Sequence, residues 1–210
     1  MSALGTRPSA SSRYHQTKYK AEQAVKRSGL AWTIFRPSLI HGPDGEFMLM
    51  VKDMLARGIL KGGLPFMPFF GKGSFGQEQG LVQPVFVEDV ARVFIDAIEN
   101  DQTIGQTYDV AGPERMKWSE LYALCQKYIP NAKSKKSFGI PAWFAKRVVG
   151  VAESVGCRCL PFDADQVVMA TEDNVASDAS MRRLDETFNL HRTGFAAALE
   201  KYGANIYKSN

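Results

Sequence analysis

The sequence has no run of about 18 apolar residues, the length a helix needs to cross a bilayer, so no membrane-spanning helix is expected. Its most apolar stretch, Phe138 to Ala152, is broken by Pro141 and by the adjacent cations Lys146 and Arg147. The opening residues, Met1-Ser2-Ala3-Leu4-Gly5-Thr6-Arg7, lack the apolar centre of a secretory signal. Cysteine is scarce. Cys125, Cys157 and Cys159 make an odd number that suits free, buried thiols in a reducing compartment, and the expected location is the cytoplasm. Cys157-Arg158-Cys159 is too tightly spaced for the usual zinc pair, and no second Cys/His pair accompanies it. The three histidines, His15, His41 and His191, stand far apart without metal-ligand spacing, so structural or surface roles are expected for them and no metal. Excess charge is also lacking: 26 basic and 22 acidic residues leave a net +4. The cations are scattered apart from Lys133-Ser134-Lys135-Lys136, which gives nucleic-acid binding no support.

What is present is the composition of a globular protein, 45% hydrophobic and 23% charged, long enough at 210 residues for one domain with or without a small lobe. Residues 13–28 are rich in helix formers and end at Gly29, a residue suited to a helix C-terminus. Leu30-Ala31-Trp32-Thr33-Ile34-Phe35 is a short apolar run ended by Arg36-Pro37, the pattern of a buried parallel strand. A helix is expected over Glu46–Arg57, then a long loop over 58–83 rich in Gly, Pro and Phe. Val90, Val93, Phe94, Ala97 and Ile98 recur at the spacing of one helix face. Asp89 is placed to cap that helix. Gln106–Ala111 reads as a strand and Trp118–Tyr128 as a helix. A helical lobe is expected beyond about residue 130, with helices near 141–150, 163–171, 178–188 and 193–202, the last capped by Thr193. This alternation implies α/β architecture with a parallel sheet. With only two or three strands visible, the sheet is short of the five or more usual in a doubly wound fold. Two regions are expected, 1–125 and 126–210.

Tyr14 and Lys18 stand one helical turn apart on a common face. An ammonium beside a phenol stabilises the phenolate and lowers its pKa, which suits a group that passes a proton to or from a carbinol oxygen. Ser2, twelve residues upstream, can hydrogen-bond the same oxygen. Arg36, next to a buried strand, is expected to pair with a carboxylate.

The run Ser2-x11-Tyr14-x3-Lys18, with Ala21-Glu22, Ser28-Gly29-Leu30 and Phe35-Arg36-Pro37-Ser38-x-x-x-Gly42-Pro43, resembles the extended and atypical short-chain dehydrogenases/reductases. The likeness continues through Gln83-Pro84-Val85-Phe86-Val87-Glu88-Asp89-Val90-Ala91 and ends in Gly105-Gln106-Thr107-Tyr108-Asp109-Val110-Ala111-Gly112-Pro113-Glu114, about residues 1–125 in all. Within that superfamily it is similar to NAD-dependent epimerase/dehydratase-like and NmrA-like proteins, nearest the group that holds the NAD(P)H-binding accessory subunit of respiratory complex I. Ser11-Ser12-Arg13-Tyr14 and the Phe47 segment carry that narrower likeness, and the 165–174 region adds to it.

The resemblance implies an incomplete Rossmann-like doubly wound sheet and a small helical substrate lobe. It implies Tyr14 as acid/base, Lys18 binding the nicotinamide ribose and tuning Tyr14, and Ser2 orienting the substrate oxygen. Pro37, Ser38, Leu39 and Ile40 would lie against the nicotinamide of NAD or NADP. The substrate implied is a nucleotide sugar or a similar hydroxyl or carbonyl compound. Phe86 replaces the family's usual histidine before V-x-D, which loosens any particular substrate assignment. The family's Gly-rich cofactor loop is not found before Tyr14, so the expectation is a fragment, completed by a separate N-terminal half or by a homo-oligomer. A non-catalytic accessory subunit is the other expectation. Gly71-Lys72-Gly73-Ser74-Phe75-Gly76 matches G-x-G-x-x-G literally, but Pro65 and Pro68 precede it and no helical run follows, so it reads as a flexible loop. Trp143, Phe144, Lys146 and Arg147 form a basic-aromatic stretch for which a solvated helix face, a membrane surface or a partner are all open readings.

Overall fold

The computed structural model describes residues 1–57, 65–154 and 163–207. In chain order the elements begin α1 (Arg13–Lys26), β1 (Thr33–Pro37), β2 (Ile40–His41), α2 (Glu46–Ala56), β3 (Phe66–Lys72), β4 (Glu78–Gln79), β5 (Leu81–Val82) and β6 (Val85–Phe86). They continue α3 (Val87–Ile98), β7 (Gln106–Val110), β8 (Met116–Lys117), α4 (Trp118–Tyr128), β9 (Lys136–Pro141), α5 (Ala142–Ser154), α6 (Ala164–Thr171), α7 (Asp178–Phe188) and α8 (Phe195–Tyr202). Cys157, Cys159 and the first part of the expected loop, 58–64, lie outside the described residues. No helix among the described residues is long and apolar enough to cross a membrane.

The chain divides into two interleaved compact units. The first comprises Met1–His41, Val82–Arg115 and Asn174–Phe195. The second comprises Gly42–Leu81, Met116–Asp173 and Ala196–Asn210. Both therefore draw on residues before and after position 125.

In the first unit β1 and β7 pair in parallel, from Thr33 against Gln106 to Pro37 against Val110, and β2 pairs in parallel with β6. The backbone of residues 2–4 runs along the other edge of β1, with Ser2 N donating to Phe35 O at 2.7 Å and Leu4 N to Pro37 O at 2.8 Å. Phe35, Val85, Tyr108 and Val110 meet Val90 and Val93 of α3 and Leu184 and Phe188 of α7 in one core. Ile98, expected on the buried face of α3, is 82% exposed. It is the last residue of the helix, beyond the first turns that β2 and β6 cover.

One buried side chain stitches this unit together. Gln83, 2% exposed, donates through Nε2 to Gly112 O and accepts at Oε1 from Ala176 N. Its own carbonyl accepts the Ser38 hydroxyl at 2.5 Å. The approach is tight enough that a Cβ on Gly112 would sit 1.9 Å from Pro84 O, so only glycine fits there. The structure corrects the two expected caps. The Asp89 carboxylate does not cap α3 but accepts from Thr193 N at 2.7 Å and from Thr193 Oγ1 at 3.1 Å. Thr193 is thereby spent, and α8 opens at Phe195, whose N–H donates to Glu114 at 2.7 Å.

The expected loop contains β3, β4 and β5, and the expected mostly helical lobe contains β9. β3 is the middle of a three-stranded sheet, antiparallel to β4 and parallel to β9. Pro68 is tolerated because β4 reaches only Gly71 and Lys72, so at Pro68 the strand has one partner, Phe138, and needs bonds on one side alone. The literal glycine motif is the turn of the β3–β4 hairpin, with Gly73 and Gly76 at positive φ and no helix following. A Cβ on Gly71 would meet Gly76 O at 2.0 Å. This is a packed turn with a strand before it, and no helix N-terminus is there to hold phosphate. Phe70, Ala145, Val149 and Val167 form the core beneath α5 and α6. Met48, Val51, Met54 and Leu55 bury one face of α2.

Candidate functional site

The local sequence of α1 positions the candidate pair. Ser12 caps the helix, its hydroxyl accepting from His15 N at 3.2 Å and lying 2.9 Å from His15 Nδ1. The helix thus starts at Arg13 and places Tyr14 in the first turn with Lys18 one turn on. Lys18 Nζ lies 5.5 Å from the centre of the Tyr14 ring, and the His15 ring meets that of Tyr14 edge-on at 5.4 Å. Tyr14 is 42% exposed. The pair faces outward together, as the spacing requires.

The expected acidification of Tyr14 is not met in this chain. Partial burial pushes its phenol above the ordinary value, because the phenolate loses hydration. The ammonium sits over the ring face, where it interacts with the π system.

Ser2 is buried, and its hydroxyl is engaged elsewhere than the Tyr14 oxygen. It lies 3.3 Å from Thr6 Oγ1 and hydrogen-bonds the Glu22 carboxylate. Glu22 in turn holds Arg36 in a two-pronged pair, Nε to Oε1 at 2.7 Å and Nη2 to Oε2 at 2.6 Å. Burial alone would raise the Glu22 carboxyl; the hydrogen bonds from Arg36 and Ser2 outweigh it and hold the group below the usual carboxylate range. Arg36 has the carboxylate partner the sequence led us to expect. Glu22 and Thr6 are the residues sequence reasoning did not single out. Glu22 lies one turn beyond Lys18 on the same helix, and that spacing was the available signal.

Pro37, Ser38, Leu39 and Ile40 form the crossing from β1 to β2. Ser38 N donates to Val110 O, and Val85 N donates to Leu39 O, both at 2.9 Å. These bonds fix the backbone, the Ser38 hydroxyl is committed to Gln83, the Ile40 side chain packs against the core, and that of Leu39 is partly buried.

Two other titratable groups are buried without an evident chemical role. The Cys125 thiol is pushed up to about 12 by burial, which makes it an inert core thiol. His41 sits between the rings of Phe86 and Phe195, at 5.7 and 4.7 Å, and burial lowers its pKa to about 3. The unfolded chain, near 6.5, then binds a proton that the folded chain refuses. The neutral ring's contribution is complete above about pH 6.5 and is lost as pH falls toward 3. We expect urea unfolding to show a loss of about 2 kcal/mol between pH 7 and 5, and His41→Phe to remove most of that slope.

A pocket of about 350 Å³ in the first unit contains none of the candidate residues. Arg115 and Arg192 line it, each already paired with a carboxylate, Asp178 and Asp185 respectively.

No family model matches the chain. Among curated proteins it is 27% identical over 200 residues to the mitochondrial NADH dehydrogenase (ubiquinone) 1 alpha subcomplex subunit 9 of Arabidopsis thaliana, covering 91% of this chain and 46% of that protein. The chain thus spans about half the length of that relative, and a mitochondrial relative does not fit the cytoplasmic expectation. Among solved structures, the NADPH-dependent quinone oxidoreductase of Escherichia coli complexed with NADPH matches with a TM-score of 0.65 at 16% identity, over 95% of this chain and 63% of that one. The UDP-glucose 4-epimerase of Thermotoga maritima with UDP-glucose matches at 0.58 and 15% identity, over 90% and 52%. The enzyme WbmH of Bordetella bronchiseptica in complex with NAD+ matches at 0.57 and 17%, over 93% and 53%. At these identities the likeness shows the fold: α/β, with the parallel strands and helices of a Rossmann-like sheet.

Proposed function

Taking the chain as one of the extended short-chain dehydrogenase/reductase-like proteins, we propose that it carries the substrate-side half of an NAD(P)-dependent oxidoreductase of epimerase/dehydratase type. The substrate class proposed is a nucleotide sugar or a similar hydroxyl or carbonyl compound. One observation carries the reading: a partly exposed phenol, Tyr14, with the Lys18 ammonium 5.5 Å over its ring at the start of a capped helix. The curated relative and the NADPH- and NAD+-bound neighbours support the cofactor class.

The residues present fit such a group. The β1–β2 crossing offers hydrogen-bonded backbone with the partly buried side chain of Leu39 beside it for a flat ring, and Lys18 offers a cation to the ribose hydroxyls. A bound nicotinamide would supply or accept the hydride. The chain's own residues handle the proton. Tyr14 Oη donates to the substrate oxygen as a carbonyl becomes an alcohol, and takes the proton back in the reverse direction. Burial keeps the phenol protonated, so it stands ready as a donor at neutral pH.

Titration of the chain, completed by a nucleotide-binding half, with NADH and NADPH, followed by nicotinamide fluorescence, tests the reading. Lys18→Met is expected to weaken binding about tenfold, the loss of one charge-assisted contact. An unchanged Kd would remove Lys18 from the site.

A second reading, a non-catalytic accessory subunit, is favoured by the Ser2 hydroxyl being held by Glu22 in a buried ion pair. It predicts co-purification with a larger membrane-associated assembly and no turnover with any hydroxyl or carbonyl substrate.

A further inference from the structure

We propose that the outward face of α5 is a docking surface for an anionic lipid bilayer. Ala145 and Val149 of this helix are buried against Phe70 and Val167. The opposite side is apolar as well: Phe144, Val148 and Val151, spaced i, i+4 and i+7, are 50%, 44% and 61% exposed. Trp143, at 63%, is flanked by Phe144 and lies on the same outer side, with the exposed cations Lys146 and Arg147 beside it. Phe138 of the adjoining strand β9 is also more than half exposed.

The occupant follows from the charge around this face. From Leu121 to Ala152 the sequence contains six cations and no Asp or Glu, and the one acid of α5 is Glu153, next to its C-terminal residue. Lys133, Lys136, Lys146 and Arg147 are exposed; Lys135 is not, and donates to Met54 O within its unit. The acidic residues at the start of α6, the helix packed on the buried side of α5, are Asp163 and Asp165, and Asp163 is spent accepting from Gln166 N at that helix's cap. An aromatic and aliphatic stripe rimmed by Lys and Arg is what an interfacial helix presents to lipid headgroups. A symmetric pairing of two copies through the same patch would set Lys146 and Arg147 against their equivalents, so a second copy fits the charge poorly. An anionic surface fits it. Indole and phenyl rings reach the headgroup level, where Trp is most favoured.

The experiment is sedimentation of the full chain with vesicles of phosphatidylcholine alone and of phosphatidylcholine with one quarter phosphatidylglycerol, at two salt concentrations. Binding is expected to the anionic vesicles, weakening with salt, with a blue shift of Trp143 emission. At roughly fivefold per cation, Lys146→Glu with Arg147→Glu should weaken binding by about 25-fold or more. Phe144→Ser with Val151→Ser should weaken it comparably. All four side chains are exposed, so thermal melts of the variants should match the parent chain, which separates lost docking from lost folding. No vesicle binding, equal binding to neutral vesicles, or undiminished binding by both variants would overturn the proposal. So would a vesicle-independent dimer broken by the same substitutions, or retention of the patch by a protein partner that the variants release.

Discussion

With the chain completed by a nucleotide-binding half, replacing Tyr14 with phenylalanine is expected to lower turnover by about 10²–10⁴-fold, the usual contribution of a positioned proton donor. The substitution deletes one oxygen and keeps the ring that Lys18 covers and His15 meets edge-on, so the melting temperature should barely move. The pH profile adds a second readout. Burial raises the phenol's pKa, so the proton is present throughout the neutral range. Carbonyl reduction should therefore be level across neutral pH and fall only on the alkaline side, while alcohol oxidation, which needs the phenolate, should rise with pH. Lys18→Met should keep the direction of this profile and act on cofactor binding. Turnover by Tyr14→Phe equal to the parent's would end the acid/base assignment, and an absence of turnover in both would favour the accessory reading.

Arg36→Met is expected to destabilise the fold by about 3–5 kcal/mol at neutral pH, measured by urea unfolding. The Glu22 side chain is 2% exposed, and removing the guanidinium leaves its charge buried against Ser2 alone among its strong partners. The sign with pH can be worked out. In the parent chain the Glu22 carboxyl is held below its unfolded value, so its stabilisation is present above the unfolded pKa and is lost as pH falls through the folded one. Without Arg36, burial dominates and the folded carboxyl titrates above its unfolded value. The deficit of the variant should then shrink on acidification as Glu22 takes up a proton. The double variant Glu22→Leu, Arg36→Met removes both charges and should regain most of the loss, because a buried pair adds little over well-packed apolar groups. A single variant as stable as the parent at pH 7 would show that the pair is solvated, contrary to its burial.

Much of the site was legible from short-range pattern. Tyr14 and Lys18 lie one helical turn apart, within a run of helix formers that marks α1. The strand β1 was readable as a short apolar run closed by Arg36-Pro37, and β7 as a short segment rich in strand formers closed by Gly112-Pro113. Other features were not. Asp89 looked like a cap because caps are acidic and early in helices, yet its carboxylate is drawn to Thr193, 104 residues away. Residues 66–72 looked like loop because glycine and proline punctuate them. They form a strand because β9 supplies a partner along one side, while on the other side β4 stops at Gly71 and leaves Pro68 unpaired there. The Tyr14 phenol was expected to be acidic from the nearness of Lys18, but partial burial, a property of the packed chain, raises it.

By itself the amino-acid order determined the α/β alternation, the helices α1, α2, α4, α6 and α7, the Tyr14–Lys18 pair, and the likeness to the short-chain dehydrogenases/reductases. These depend on periodicity and capping within a few residues, which the backbone's own hydrogen bonds reward locally. Tertiary structure alone decided that Ser2 bonds Glu22, that Gln83 ties Gly112 to Ala176, that β3 joins β9, and that both units are woven from separated segments. Each of those is a choice of partner among groups far apart in the chain, made by burial: a polar group removed from water takes whichever complement the packed core brings within reach.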